Sequence, residues 1–81
     1  MYEGVFSLEA AAEMIRIMGA VKASEVLEAS SVIRDRLRDD PAGTGTPLSE
    51  GLFYLDREPL RAFYVIDART MTVEVTDFRV L

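Results

Sequence analysis

Apolar residues recur at helical spacing in the first half of the chain and at alternate positions in the second half. The segment from Tyr2 to Phe6 is aromatic and β-branched, which predicts a short strand. A helix is predicted from Leu8 to Met18, because Ser7 is a good N-cap and Gly19 is a typical C-cap residue. Its predicted core stripe consists of Leu8, Ala11, Ala12, Ile15 and Met18.

A second helix is predicted from Ala20 to Asp40, continuous with the first through a kink near Gly19 or separate from it. The opposite face of this helix is charged, with acidic and basic residues at spacings that allow ion pairs along the helix. We interpret that face as solvated. The predicted buried face consists of Ala23, Val26, Leu27, Ser30, Ile33 and Leu37.

The segment from Pro41 to Pro47 is predicted as a loop, since a proline follows Asp40 directly and two glycines come after it. Its Gly-x-Gly follows a helix and lacks the Lys-Ser/Thr of a nucleotide-binding loop. We therefore interpret the segment as a connector between the two halves of the chain.

The second half has the period of β-strands, and turn residues divide it into three segments. Strands are predicted from Gly51 to Asp56, from Leu60 to Asp67 and from Met71 to Val80. The apolar parity of the last strand changes, which predicts a bulge near Thr76-Asp77. The fold class is therefore predicted to be α+β, with residues 1–81 forming one domain. An N-terminal strand and a two-helix segment would pack on one face of an antiparallel sheet, in the order β-α-α-β-β-β.

Apolar residues occur on both faces of the predicted sheet, although helices from the first half can cover only one. The second face would carry Phe53 or Tyr54 together with Phe63 and Val65. Such a surface needs a covering partner. One interpretation is therefore a non-enzymatic interaction module that homodimerises or binds a peptide through this face.

Charge and composition exclude several classes of function. The net charge is −5, which disfavours general binding to free DNA. The chain has no His and no Cys, so Ser–His and Cys–His nucleophiles, thiol redox centres and zinc sites are excluded, and no cofactor is expected. The absence of Cys, of a signal segment and of a long apolar run predicts a cytoplasmic protein that does not cross a membrane.

Asp35, Asp39 and Asp40 offer one further alternative, an oxygen-ligated Mg²⁺ or Ca²⁺ site at the end of the second helix. Arg36 and Arg38 lie between these carboxylates in the sequence and would neutralise them. A solvated helix end is therefore the favoured interpretation.

The order of elements and several short motifs resemble the RelE/ParE toxin superfamily of bacterial type II toxin–antitoxin systems. The motifs are Arg36-x-Arg38-Asp39-Asp40-Pro41 at the helix end, Glu50-Gly51-Leu52, Pro59 to Asp67, and Thr72-Val73-Glu74-Val75 before Arg79. The resemblance spans nearly the whole chain. It implies a toxin that acts on translating mRNA or on gyrase and is neutralised by an antitoxin protein, or a divergent relative that serves as a binding module.

Members of the RelE type cut mRNA on the ribosome without a metal, using basic side chains to stabilise the phosphoryl transfer. The resemblance carries Arg61 and Arg79 over as candidate catalytic residues. Arg57, Tyr54 and Phe63 are the candidate binding residues. The sequence departs from the family pattern in its acidity and in the basic residues of the preceding strand, where only Arg57 remains. The sequence therefore leaves enzymatic activity open, with a second copy of the chain as the other candidate partner.

Overall fold

The computed structural model describes residues 1–81 and contains one five-stranded sheet in the order β1-β5-β4-β3-β2. Strand β1 is parallel to β5, and all other neighbours are antiparallel. The strands are β1 (Glu3–Phe6), β2 (Thr46–Ser49), β3 (Leu52–Arg57), β4 (Leu60–Asp67) and β5 (Thr72–Val80), and the helices are α1 (Leu8–Ala20), α2 (Ala23–Asp39) and α3 (Pro41–Thr44).

The predicted α+β class is confirmed, because α1 and α2 pack on one face of this sheet. Two features of the sheet differ from the prediction. Strand β1 joins the sheet as a parallel edge strand, so the sheet is mixed and not purely antiparallel. Strand β2 forms the opposite edge and begins in the segment predicted as a connector. No helix in the structure has the length and apolar character needed to span a membrane.

Helix α1 begins where the sequence predicts, because the Ser7 hydroxyl accepts a hydrogen bond from the Ala10 amide at 3.0 Å. The predicted end at Gly19 is wrong. The helix continues to Ala20, and Val21 ends it in extended conformation while its amide donates to the Ile17 carbonyl at 2.8 Å. Helices α1 and α2 are therefore separate.

The predicted core stripe of α1 is largely wrong. Leu8 and Ile15 are 86% and 66% exposed, whereas Ala10 and Ile17 are buried. Because apolar residues occupy most positions from Ala10 to Met18, their spacing is compatible with more than one helix face. The attachment of Ser7 to β5 determines which face of α1 is buried. The Ser7 amide and hydroxyl both donate to carbonyls of β5, at 2.9 and 3.3 Å.

The predicted stripe of α2 is mostly confirmed. Ala23 and Leu27 from the predicted stripe are instead exposed, because they lie at the margin of the face that meets the sheet. The polar Ser30 is buried without cost in lost hydrogen bonds, since its hydroxyl donates to the Leu27 carbonyl at 2.9 Å. The buried residues of α2 are Val26, Ala29, Ser30, Ile33 and Leu37.

The segment predicted as a loop, from Pro41 to Pro47, instead forms α3 and the first two residues of β2. Pro41 occupies the first turn of α3, a position that proline favours, and the Asp40 carboxylate accepts a hydrogen bond from the Gly43 amide at 3.1 Å. All residues of β2 are exposed. Strand β2 therefore has no alternating pattern that sequence reasoning could detect, and it exists through pairing with β3.

The three C-terminal strands lie within about one residue of their predicted bounds. The predicted bulge is confirmed. Phe63 is opposite Asp77 and Tyr64 is opposite Val75, so Thr76 is the extra residue of β5. The Thr76 hydroxyl donates to the Phe63 carbonyl at 3.3 Å and holds the two strands together at this point.

Tyr64 links the sheet to the segment after α2. Its ring is fully buried and stacks on Phe53 with a centroid distance of 5.5 Å. Its hydroxyl donates to the Pro41 carbonyl at 2.6 Å. A Cβ on Gly45 would overlap the Tyr64 hydroxyl and would lie 2.9 Å from the Tyr54 carbonyl oxygen. Only glycine therefore allows the chain to pass this close to the ring.

Replacing Gly45 by Ala is expected to lower the free energy of unfolding by about 1–3 kcal/mol, because the methyl group has no room. Gly19→Ala is the matched control. Gly19 is helical and a methyl group added there would have no atom within 4 Å, so this change is expected to raise the free energy by about 0.5–1 kcal/mol. Urea unfolding followed by circular dichroism measures both values. Equal changes in the free energy of unfolding for the two variants would contradict the close contact between Gly45 and Tyr64.

Burial raises the pKa of Tyr64 to about 12, from an ordinary value of 10.0. The folded protein therefore holds this proton more tightly than the unfolded chain does, and the resulting stability is present below about pH 10 and lost as the pH rises towards 12.

Tyr64→Phe is expected to be about 1–3 kcal/mol less stable at neutral pH, because the Pro41 carbonyl loses its buried donor. The variant is also expected to lose less stability than the wild type above about pH 10. Urea unfolding at a series of alkaline pH values tests both expectations, with Tyr2→Phe as the control. A wild-type pH profile retained in Tyr64→Phe would show that another group causes the loss.

Candidate functional site

The sheet has one face that no helix covers, which we call the outer face. Because Leu60, Ala62 and Tyr64 of β4 are buried under the helices, the residues that alternate with them must point away. The outer face is defined by Leu52, Tyr54 and Asp56 on β3, Arg61, Phe63 and Val65 on β4, and Asp77 and Arg79 on β5.

The strand register brings these side chains into two adjacent rows. In one row, Phe63 lies between Tyr54 of β3 and Asp77 of β5. In the next row, Arg61 lies between Asp56 and Arg79. Directly opposed residues of neighbouring strands are close enough for their side chains to touch. The outer face therefore combines an aromatic pair with an arginine pair.

Arg61 is held by two contacts. Its guanidinium donates to both carboxylate oxygens of Asp56, at 2.7 and 2.9 Å. It also lies over the Tyr54 ring, 4.3 Å from the centroid. A two-pronged bond and an aromatic platform restrict the side chain to one orientation. Any other anion that binds Arg61 must therefore compete with Asp56.

Arg79 is held more loosely. Its guanidinium lies 5.8 Å from the centroid of the Phe63 ring, and its Nε is 3.9 Å from Asp77 Oδ2. The side chain is largely exposed. An ion pair of that length and exposure is weak. Arg79 is thus the arginine of the outer face that is more available to a ligand.

The Asp56–Arg61 pair shifts the ionisation of both groups. The hydrogen bond from Arg61 lowers the pKa of the Asp56 carboxyl, against a smaller opposing effect of burial. The same hydrogen bond raises the pKa of Arg61. Both groups are therefore charged throughout the neutral range, and the pair contributes no proton donor or acceptor there.

The structure brings together Arg61, Arg79, Tyr54 and Phe63 of the predicted site residues, but it places Arg57 elsewhere. Arg57 is opposite Leu60 at the end of the hairpin, on the side of the sheet that faces the helices. Its guanidinium lies 3.3 Å from a carboxylate oxygen of Glu28 on α2. Arg57 is thus separated from the other four by the sheet.

Sequence reasoning missed two residues of α1 that lie beside the outer face. Glu13 and Arg16 form an ion pair, and together with Asp77 and Arg79 they line a cavity of about 470 Å³. The hydrogen bond from Arg16 lowers the pKa of Glu13, with a smaller contribution from the charge of Arg79. The only signal in the sequence is the helical spacing of Glu13 and Arg16, which does not indicate their distance from β5.

The chemistry of this face is that of cations on aromatic rings. The structure contains no group of three or more acidic side chains that could hold a metal ion. The alternative metal site at Asp35, Asp39 and Asp40 is therefore wrong, because these carboxylates do not converge and Asp40 instead caps α3. The outer face can therefore bind anionic or aromatic groups.

Fold and face together define a class of small α+β protein with a mixed five-stranded sheet, helices on one side and an open side. No protein-family model and no curated protein matches the chain. The chain is similar in structure to one in the crystal structure of the toxin–antitoxin complex RelBE2 from Mycobacterium tuberculosis, with a TM-score of 0.82 and 23% sequence identity. The match covers 99% of this chain and 98% of that chain. The similarity shows that this chain shares the fold of that neighbour.

Arg61→Gln is expected to raise the pKa of Asp56 towards its ordinary value, because the main cause of the depression is removed. A depressed carboxyl pKa stabilises the fold above that pKa and loses the effect as the pH falls. The variant is therefore expected to lose less stability on acidification than the wild type.

A pH titration of the Asp56 side-chain carboxyl by carbon-detected NMR measures this shift. Arg79→Gln is the matched control, since Arg79 pairs with Asp77 and makes no bond to Asp56. If the pKa of Asp56 stays depressed in Arg61→Gln, the hydrogen bond from Arg61 is not its main cause.

Proposed function

We propose that this chain is a toxin-like protein of a bacterial type II toxin–antitoxin system and that its outer face binds the antitoxin. The observation that carries the proposal is the similarity in fold to a chain of a toxin–antitoxin complex over nearly the full length of both chains. The sequence motifs that resemble the RelE/ParE toxins support the toxin side of such a pair. In this proposal residues 1–81 form one domain that acts in the cytoplasm.

The composition of the outer face supports a protein partner. Tyr54 and Phe63 are only partly buried, and Arg61 and Arg79 lie over their rings. Aromatic and arginine side chains are enriched among the residues that dominate binding energy in protein interfaces. Leu52 and Val65 extend the apolar area beside them. A segment with apolar anchors and carboxylates would complement this surface.

Cleavage of mRNA is the activity that the arginines could support. In such a reaction Arg61 and Arg79 would stabilise the charge that develops on the transferring phosphoryl group. Arg61 can take this role only after it exchanges Asp56 for a phosphate. Gyrase is the other target implied by the resemblance. Action on gyrase does not require Arg61 to exchange Asp56 for a phosphate.

Inducible expression in bacteria tests the proposal. The wild-type chain is expected to arrest growth, and co-expression of the small protein encoded by the neighbouring reading frame is expected to restore it. Loss of mRNA integrity would identify mRNA as the target, and intact mRNA would point to gyrase. For mRNA cleavage, Arg61→Ala is expected to lower the rate on the order of 100-fold.

Arg69→Ala is the matched control, because Arg69 is an exposed arginine of the turn after β4 and lies away from the outer face. Normal growth on expression of the wild type would overturn the toxin proposal. Equal loss of activity in both variants would remove Arg61 from the mechanism.

A second function is favoured by the Asp56–Arg61 pair, which already neutralises the arginine on the outer face. In this alternative the chain is a non-enzymatic module whose outer face forms a homodimer. Light scattering would then give a dimer at all concentrations, and Phe63→Glu would convert it to a monomer. A monomeric wild-type protein would dispose of this alternative.

A further inference from the structure

A second cationic site lies where helix α2 meets the edge strand β1. A cavity of about 580 Å³ opens between the start of β1, the C-terminal half of α2 and the turn before β5. Helix α2 contributes Arg34 and Arg38 to its wall, β1 contributes Gly4 and Glu3, and the turn contributes Thr70. It is larger than the cavity beside Arg79.

Four arginines, Arg34, Arg36, Arg38 and Arg69, form no ion pair, and of these Arg34 and Arg38 share the cavity. Arg16, Arg57, Arg61 and Arg79 each have a carboxylate oxygen within 3.9 Å. Neither Arg34 nor Arg38 is in an ion pair. Glu3 is the one carboxylate among the cavity's residues, so the two guanidinium groups leave an excess of positive charge there in a protein whose net charge is −5.

Neutral groups hold both side chains in place. The Arg34 guanidinium lies 4.7 Å from the centroid of the Phe6 ring, and an Nη of Arg38 lies 3.3 Å from the Met1 sulfur. The two residues are four apart on α2, so they lie on the same side of the helix about 6 Å apart. Positioned guanidinium groups that share a cavity lose little conformational entropy when they bind a common anion.

We propose that Arg34 and Arg38 form a binding site for a phosphate monoester. Two guanidinium groups match the two negative charges and three terminal oxygens of such a group, whereas one guanidinium is enough for a carboxylate. Glu3 in the wall of the cavity and the net negative charge oppose a long polyanion. The ligand is therefore a small phosphorylated molecule or the phosphorylated end of a nucleic acid. This inference is independent of the proposed toxin function.

Titrations followed by amide NMR, in buffer free of phosphate and sulfate, test the site. Inorganic phosphate and adenosine monophosphate are expected to give saturable shifts at Gly4, Arg34, Arg38 and Thr70, and adenosine is expected to give none. A short single-stranded RNA with and without a 5′-phosphate separates the two sources of the ligand. Binding of the phosphorylated RNA without binding of adenosine monophosphate would assign the site to a nucleic-acid end.

The double variant Arg34→Gln/Arg38→Gln is expected to weaken binding by at least about tenfold. The double variant Arg36→Gln/Arg69→Gln removes the same charge from exposed positions outside the cavity and is expected to bind like the wild type. Thermal unfolding checks that both variants are folded. If loss of the Arg34–Phe6 contact unfolds the first variant, Arg38→Gln alone is used.

The absence of saturable shifts with phosphate and with every phosphorylated probe would overturn the proposal. Equal weakening in both double variants would also overturn it, because it would show attraction to overall charge and not a site.

Discussion

Strand β4 is covered by helices on one side only, and this constraint determines where the residues of the outer face lie. Leu60, Ala62 and Tyr64 are fully buried against the helical layer. Side chains alternate along a strand, so Arg61 and Phe63 are directed to the other side as a geometric consequence. Pairing with β3 and β5 then adds Tyr54, Asp77 and Arg79 to that side. The alternation of side chains along β4 therefore produces both the buried core and the outer face.

The bulge at Thr76 is essential to this arrangement. Val73 and Val75 are buried, and Phe78 is buried as well despite its opposite parity. The extra residue restores the inward direction of Phe78, which packs edge-on against Phe6 at 5.2 Å. Because the phase changes at Thr76, Asp77 and Arg79 are directed to the outer face. Core packing and the composition of the outer face are therefore linked through one residue.

Two pairs of arginines differ in how their side chains are held. Arg61 and Arg79 face acidic neighbours from their own sheet, and their charge is partly compensated. Arg34 and Arg38 rest on an aromatic ring and a thioether, which orient them without neutralising them. Half-exposed ion pairs contribute little stability and exchange partners readily. An anion that binds Arg61 or Arg79 must therefore compete with Asp56 or Asp77, whereas Arg34 and Arg38 have no ion-pair partner to give up.

The sequence by itself determined the elements whose signals are local. The Ser7 cap, the bounds of β4 and the bulge at Thr76 depend on neighbouring residues, and the structure confirms them. Period-two patterning also predicted that Phe63 and Val65 would share a face. These features depend on hydrogen bonds and alternation within a few residues.

Tertiary structure decided those features for which the local sequence pattern allows more than one arrangement. The buried face of α1 was set by the attachment of Ser7 to β5, and β2 was set by its pairing with β3. The contact of Arg57 with Glu28 joins residues far apart in the sequence. Asp56 was one of several acids that could have paired with Arg61, and the register of β3 on β4 selected it. Such contacts depend on distances between elements, which no local spacing encodes.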